Sequence, residues 1–158
     1  MSATVFVRRS EGLPAGLDLL VTESTREGHR FLERLRDDWR SGTNRFDGRG
    51  EALFVAYVDS GLAGICGLNQ DPHASGSDVG RLRRLYVGLL FRRQGVGRCL
   101  VERALSLARE HYGIVRLRTD NSGAVAFYES LGFSSAGPPA EATHQLVLRD
   151  VVVGPAGR

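Results

Sequence analysis

Lysine is absent: all 21 basic side chains of this 158-residue chain are arginine. The absence excludes a Walker A phosphate loop, which needs its lysine, and fits a GC-rich bacterial genome. Cysteine is scarce. Cys66 and Cys99 lie in apolar stretches with no CxxC spacing, the pattern of reduced, mostly buried thiols rather than of a disulfide or a nucleophile. No apolar run approaches the roughly 18 residues of a membrane span, and the polar start Met1–Gly12 has no signal-peptide apolar region. A cytoplasmic protein with no membrane partner is expected. The four histidines are scattered and Asp71-x-His73 lacks further partners, so no metal site is expected. No repeat, linker or low-complexity stretch divides the chain. A single domain over 1–158 is expected, with 154–158 a short tail. Such a length buries roughly 68–70% of its unfolded surface, enough for one core.

The net charge of +3 and pI near 9.3 favour an anionic ligand. The arginines are spread along the chain, without the dense basic stripe of a nucleic-acid binder.

Hydrophobic periodicity predicts the elements. Thr4–Arg8 reads as a first strand. Leu17–Arg40 has helical spacing, with Phe31, Leu32, Leu35 and Trp39 on one stripe and Gly28 dividing it into two helices. Ala52–Val58 and Leu62–Leu68 read as strands joined by the turn Asp59-Ser60-Gly61. Asp71–Gly80 reads as a loop and Leu82–Val87 as a third strong strand. A helix is predicted over Val96–His111, a strand over Ile114–Thr119, a short helix capped by Asn121 and stopped near Gly132, and a last strand over Gln145–Val153. This is a three-layer α/β order.

The most informative stretch is strand Leu82–Val87, then Arg92-Arg93-Gln94-Gly95-Val96-Gly97, then a helix. Gly-x-Gly allows a tight turn, and the first helical amides, unpaired by backbone, favour a phosphate. Spacing alone leaves three owners: a bare tight connection, a dinucleotide-binding turn, or another phosphate cradle. The dinucleotide turn wants a third glycine where Leu100 stands, and a second βαβ half that is missing.

Arg92-x-x-Gly95-x-Gly97 after Leu85-Tyr86-Val87 resembles motif A of the GNAT N-acetyltransferase family. Asn121-x-x-Ala124-x-x-Phe127-Tyr128-x-x-x-Gly132-Phe133 is similar to its motif B, in the expected order and interval. The resemblance implies a mixed, mostly antiparallel sheet flanked by helices, whose splayed central strands hold acetyl-coenzyme A. It implies that backbone amides from Gln94 through Val96 and Gly97 to Arg98 hold the pyrophosphate, with Arg92 and Arg93 in the same loop. Leu85 and Val87 would pair with the pantetheine arm through their backbones. Asn121 would contact the coenzyme, cap its helix, or do both. Tyr128 would protonate the departing thiolate, or else be an aromatic core residue beside Phe127. Three phosphate groups on the coenzyme would satisfy the charge bias.

The reaction so implied is direct attack on the thioester by an amine of a small molecule or peptide. Many relatives use a glutamate as base where this chain has Arg81, so the base stays unassigned among Glu51, Asp71, Asp78, His73, His144 and a water chain. Arg81, Arg83, Arg116 and Arg118 stand at two-residue spacing on the strands flanking the expected cleft. They either bind an acceptor carboxylate or phosphate or form a solvent-facing edge with local salt bridges. Trp39, Asn69, Asp71 and His73 lie on segments that could line the acceptor side. Two further readings stay open: a protein or aminoacyl-tRNA acetyltransferase, and a non-catalytic acyl-coenzyme A-binding relative. Dimers are common among relatives.

Overall fold

The structure, a computed structural model, describes residues 4–137 and 141–148. Seven strands form one sheet: β1 (Val5–Arg9), β2 (Ala52–Val58), β3 (Gly61–Gln70), β4 (Val79–Val87), β5 (Ile114–Leu117), β6 (Ser134–Ser135) and β7 (His144–Val147). Their spatial order is β1-β2-β3-β4-β5-β7-β6. Every neighbouring pair is antiparallel except β4 with β5. That excludes the doubly wound parallel sheet of a dinucleotide-binding fold. Helices α1 (Leu17–Arg26), α2 (Phe31–Ser41), α3 (Val96–His111) and α4 (Ser122–Ser130) complete the α/β architecture.

β2 and the central part of β3 are buried on both faces, which explains their near-continuous apolar sequences. On one face, Leu17, Leu20 and Val21 of α1 and Leu32 and Leu35 of α2 cover Leu53, Val55, Ile65 and Tyr86. On the other, Val96, Leu100, Val101, Ala104, Leu105 and Ala108 of α3 cover Phe54, Ala56, Cys66, Leu68 and Leu82, with Tyr128 and Phe133 joining from the α4 side. The predicted split at Gly28 is real: α1 ends at Arg26, Gly28 has φ 90° and α2 starts at Phe31. The β2–β3 turn places Asp59 and Ser60 at φ 49° and 69°, the positive pair a two-residue primed turn demands.

Three differences from the sequence reading stand out. β4 begins at Val79, inside the stretch read as a loop. β6 is a two-residue strand that pairs with β7 and is too short to show alternation. The last strand is seen from His144 to Val147. The remainder of its predicted span and the predicted tail lie outside the described residues.

α3 sits close on the sheet because Gly64 has no side chain. A Cβ there would meet the Tyr86 carbonyl oxygen at 2.9 Å, Leu100 Cδ1 at 3.0 Å and Val96 Cγ1 at 3.1 Å. Backbone cannot give way as a side-chain tip can. Gly64→Ala is therefore expected to cost about 1–3 kcal/mol of stability in urea denaturation. Gly12→Ala, with nothing within 4 Å, serves as the control and stays near wild type.

Candidate functional site

β4 and β5 pair only at Val79↔Ile114, Gly80↔Val115 and Arg81↔Arg116. β4 then continues to Val87 with no strand on that side. The two strands splay from Arg81 onward, and a cleft of about 1110 Å³ opens along the gap. That lies at or above the upper end of the usual ligand-pocket range of roughly 300–1,000 Å³. β4 is also irregular inside the cleft. Gly67 pairs with Arg83 and Ile65 with Tyr86, so Arg84 and Leu85 together oppose Cys66. Arg84 takes φ 63°. This is a bulge of one extra residue, a device that re-aims backbone and side chains.

At one end of the cleft lies the Arg92–Gly97 turn. Gly95 is the N-cap of α3 with φ 83° and no side-chain cap. Its open surroundings would admit a Cβ, so the backbone angle, not space, calls for glycine. The first helical bond is Cys99 N–H to the Gly95 carbonyl. The amides of Val96, Gly97 and Arg98 therefore precede the helical ladder, at the positive end of a 16-residue helix. Gly97 lies against α4, where a Cβ would meet Phe127 Cζ at 3.3 Å.

The side chain of Arg92 faces away from this cradle. Its Nη2 and Nη1 donate to the two carboxylate oxygens of Glu27 at 2.8 and 3.0 Å, and its Nε to the Val87 carbonyl at 2.9 Å. It also stacks 5.3 Å over the Tyr86 ring. The Tyr86 oxygen lies 2.6 Å from Glu27 Oε1 and 2.8 Å from Glu23 Oε1, its one proton serving both carboxylates. Glu23 also accepts the Leu89 amide at 2.8 Å. The end of α1 is thus tied to the end of β4 and to the loop. Arg92 holds the Glu27 carboxyl below its ordinary range, while burial pushes the Tyr86 phenol up.

Asn121 is the N-cap of α4, its Oδ1 accepting from the amides of Gly123 at 2.8 Å and Ala124 at 3.2 Å. The side chain is exposed and lines the cleft, so the cap leaves it beside any ligand. Tyr128 is 8% exposed, edge-on to Phe127 and Phe133. It lines the cleft, and its hydroxyl makes no hydrogen bond among the described residues. Burial, with a smaller effect from Cys66, pushes the Tyr128 phenol up, so it keeps its proton through the neutral range. Leu85, Val87, Arg93 and Arg98 line the same cleft. Gln94 is exposed in the turn, its side chain donating to the Leu90 carbonyl at 3.3 Å.

None of the bases considered from sequence lines this cleft. Glu51 accepts from the amides of Gly48 and Gln70, Asp71 from His73 and Asp78 from Gly113, while His144 lies against Thr143. His73 and Asp71 border a small separate recess with Arg116. Asn69 pairs reciprocally with Asn44, and Trp39 packs on the α1–α2 core. Instead the cleft receives Glu27, His29 and Phe31 from the α1–α2 connection. The sequence carried no signal for this, because contact with β4 spans some sixty residues and depends on how the helices lie.

The arginines also differ from a solvent-facing edge. Arg81 is 9% exposed, donates to the Glu141 carbonyl at 2.8 Å and stands 3.8 Å from Asp71. Arg83 and Arg84 are half-buried, and Arg84 lies 3.8 Å from Asp38 of α2. Only Arg118 is exposed, near Asp120.

Among the described residues no helix is long and apolar enough to cross a membrane. A family model described as the acetyltransferase (GNAT) family matches residues 15–133. A provisionally assigned acetyltransferase of Exiguobacterium sp. 255-15 superposes with TM-score 0.81 at 27% identity, covering 91% of this chain and 93% of that one. A provisionally assigned GNAT-family acetyltransferase of Desulfovibrio desulfuricans gives 0.73 at 18% identity, covering 92% and 100%. The ribosomal-protein-S18-alanine N-acetyltransferase of Escherichia coli gives 0.67 at 18%, covering 96% and 98%. Among curated proteins, none matches the sequence significantly.

A Glu27→Gln/Arg92→Gln double-mutant cycle in urea is expected to return a coupling of about 1 kcal/mol, modest because both side chains are partly solvated. Glu27 ionises below its ordinary 4.5. Its stabilising contribution is therefore present above that value and is lost as pH falls through the depressed one. Wild type should lose this increment in acid, and Glu27→Gln should not.

Proposed function

Because the chain belongs to the acetyltransferase (GNAT) family, we propose that it transfers the acetyl group of acetyl-coenzyme A to an amine by direct attack in a ternary complex. The observation that carries this is the splay of β4 from β5, with uncapped α3 amides at one end and the Tyr128 hydroxyl along it. The α3 amides suit the pyrophosphate, since they offer donors and a helix dipole without a competing side-chain cap. The open edge of β4 at Leu85 and Val87 suits the pantetheine amides, which would add to the sheet as a strand does. The amine nitrogen would attack the thioester carbon and the carbon–sulfur bond would break. The thiolate would take the Tyr128 proton, and the ammonium proton would leave to a base.

Tyr128 suits the acid role by lining the cleft with its proton in place, although the burial that keeps the proton also makes it a weaker acid than a free phenol. For the base, Glu27 is engaged by Arg92 and Tyr86, and Asp120 lies near Arg118. His29 lines the cleft; its backbone amide donates to the Ser24 carbonyl, while its ring makes no hydrogen bond or ion pair among the described residues. Imidazole is the side chain suited to proton transfer near neutral pH, so we assign it the base.

The test is an amine panel followed by release of free coenzyme A thiol. Tyr128→Phe is expected to lower kcat by roughly 10²–10⁴-fold, with the coenzyme Kd unchanged. His29→Ala should lower kcat likewise. Gly95→Asp, adding backbone strain and a negative charge to the cradle, should abolish coenzyme binding. Unchanged turnover in Tyr128→Phe would remove the phenol from the mechanism. Coenzyme binding without turnover on any amine would favour a non-catalytic relative.

A further inference from the structure

Arg81, Arg83 and Arg84 stand close together along strand β4, where the cleft meets α2. Their face follows from the strand. Leu82 points into the core under α3, so Arg81 and Arg83 point to the opposite face. Asp38 of α2 lies 3.8 Å from Arg84 and also acts on Arg83, so both guanidinium groups are on the α2 side. All three arginines line the cleft.

Their charge is incompletely answered. Asp71 and Asp38 approach Arg81 and Arg84, each at 3.8 Å, beyond hydrogen-bond length. The Arg83 side chain makes no hydrogen bond and no ion pair within 4.0 Å among the described residues. The buried Arg83 Nε and Arg81 Nη1 have no hydrogen-bond partner among the described residues. Glu51 acts on Arg83 only at longer range, and Arg34 adds a further positive charge near Arg84. Burial first, then repulsion from a neighbouring arginine, makes Arg83 and Arg84 easier to deprotonate than free guanidinium, Arg84 falling to about 10. Buried donors without acceptors destabilise a fold unless a ligand supplies the acceptor.

The coenzyme's phosphates do not supply it. The α3 cradle lies beyond Val87, and Arg83 is four residues back along β4, roughly 13 Å at strand rise. The cluster therefore belongs to the part of the cleft where the acceptor enters.

We propose that the acceptor is an amine that also carries an anionic group, a carboxylate or a phosphate, held by Arg83 and Arg84 with Arg81 beside them. This rests on the acetyl-transfer reading and names the substrate class for it. Guanidinium forks match both anions in geometry. The same cluster repels polycationic amines. It also acts on the reacting group. Nearby positive charge disfavours an ammonium and promotes its loss of a proton.

The experiment uses the full chain with acetyl-coenzyme A and matched acceptors. Glycine, alanine and aspartate are set against glycinamide and alaninamide, O-phosphoethanolamine against ethanolamine, and spermidine stands as the polycation. The expected result is a KM ten- to a hundredfold lower for acceptors that carry the anion. The amino-acid and phosphate arms identify which anion it is. Arg83→Gln and Arg84→Gln should each erase that preference, raising KM for anionic acceptors ten- to a hundredfold. Amines without the anion should lose far less than those that carry it, and the coenzyme Kd and the Tm should change little. Equal KM for acid and amide, a preference for spermidine, or equal losses on anionic and neutral amines in Arg83→Gln would each overturn the proposal. Should no amine turn over, the acetyl-transfer reading fails separately. Calorimetry of aspartate and O-phosphoethanolamine against the coenzyme-loaded protein then decides: binding lost in Arg83→Gln sustains the anion site, and no binding overturns it.

Discussion

The divergence of β4 from β5 after the Arg81–Arg116 pair is the constraint on which the rest of the site depends. A parallel pair in the middle of a sheet ordinarily keeps its ladder, because unpaired backbone groups in a protein interior are costly. Here β4 runs six residues further with one side open. The gap is compatible with a stable sheet only because neither strand relies on it. β4 is held along its other edge by β3, from Gly80 to Val87. β5 is held by β7, from Ile114 to Leu117. Each strand thus has a full antiparallel partner outside the gap, and the cleft is bounded by two supported strands.

Supported walls would still leave the α3 turn free to drift. The Glu27–Arg92–Tyr86 contacts address that. They join α1, the far end of β4 and the turn through charged hydrogen bonds of 2.6–3.0 Å. Arg92 also donates to the last carbonyl of β4. An arginine in the turn before α3 invites the reading that it would contact a bound phosphate. Here its guanidinium is engaged by Glu27, and the amides of Val96, Gly97 and Arg98 are left free at the start of α3. Arg92, Arg93 and Arg98 all line the cleft; with Arg92 paired to Glu27, the helix dipole, Arg93 and Arg98 supply most of the loop's positive character.

Much of this was legible in the sequence, for identifiable reasons. α3 was found to the residue, since its apolar stripe Val101, Ala104, Leu105 and Ala108 covers one continuous face. The Asn121 cap is a local effect, set by one side chain and two amides two and three residues on. The Gly95–Gly97 turn and the Asn121–Phe133 run gave the family. What was not legible is non-local. The bulge at Arg84 comes from a two-against-one register opposite Cys66, and alternation in β4 alone cannot reveal it. The arrival of Glu27 and His29 in the cleft depends on how α1 and α2 pack on the sheet. The burial of Arg81 follows from a loop carbonyl sixty residues away, whereas an isolated strand pattern of alternating arginines reads as a wet edge.

Arg81 stands where the family resemblance would place a glutamate base in many relatives, and this bears on how the amine could lose its proton. A carboxylate base works by accepting the proton and by stabilising positive charge nearby. An arginine can do neither, and it raises the free energy of an ammonium beside it. That penalty is an obstacle if the amine must remain charged to bind. It becomes an advantage if binding is supplied by a different group on the same molecule. An anion held on Arg83 and Arg84 would bring the ammonium into a field that favours its neutral form. His29 would then need only to receive the departing proton. In this arrangement the positive cluster and the missing carboxylate are two aspects of one solution, in which attraction acts on the acceptor's anion and repulsion on its ammonium.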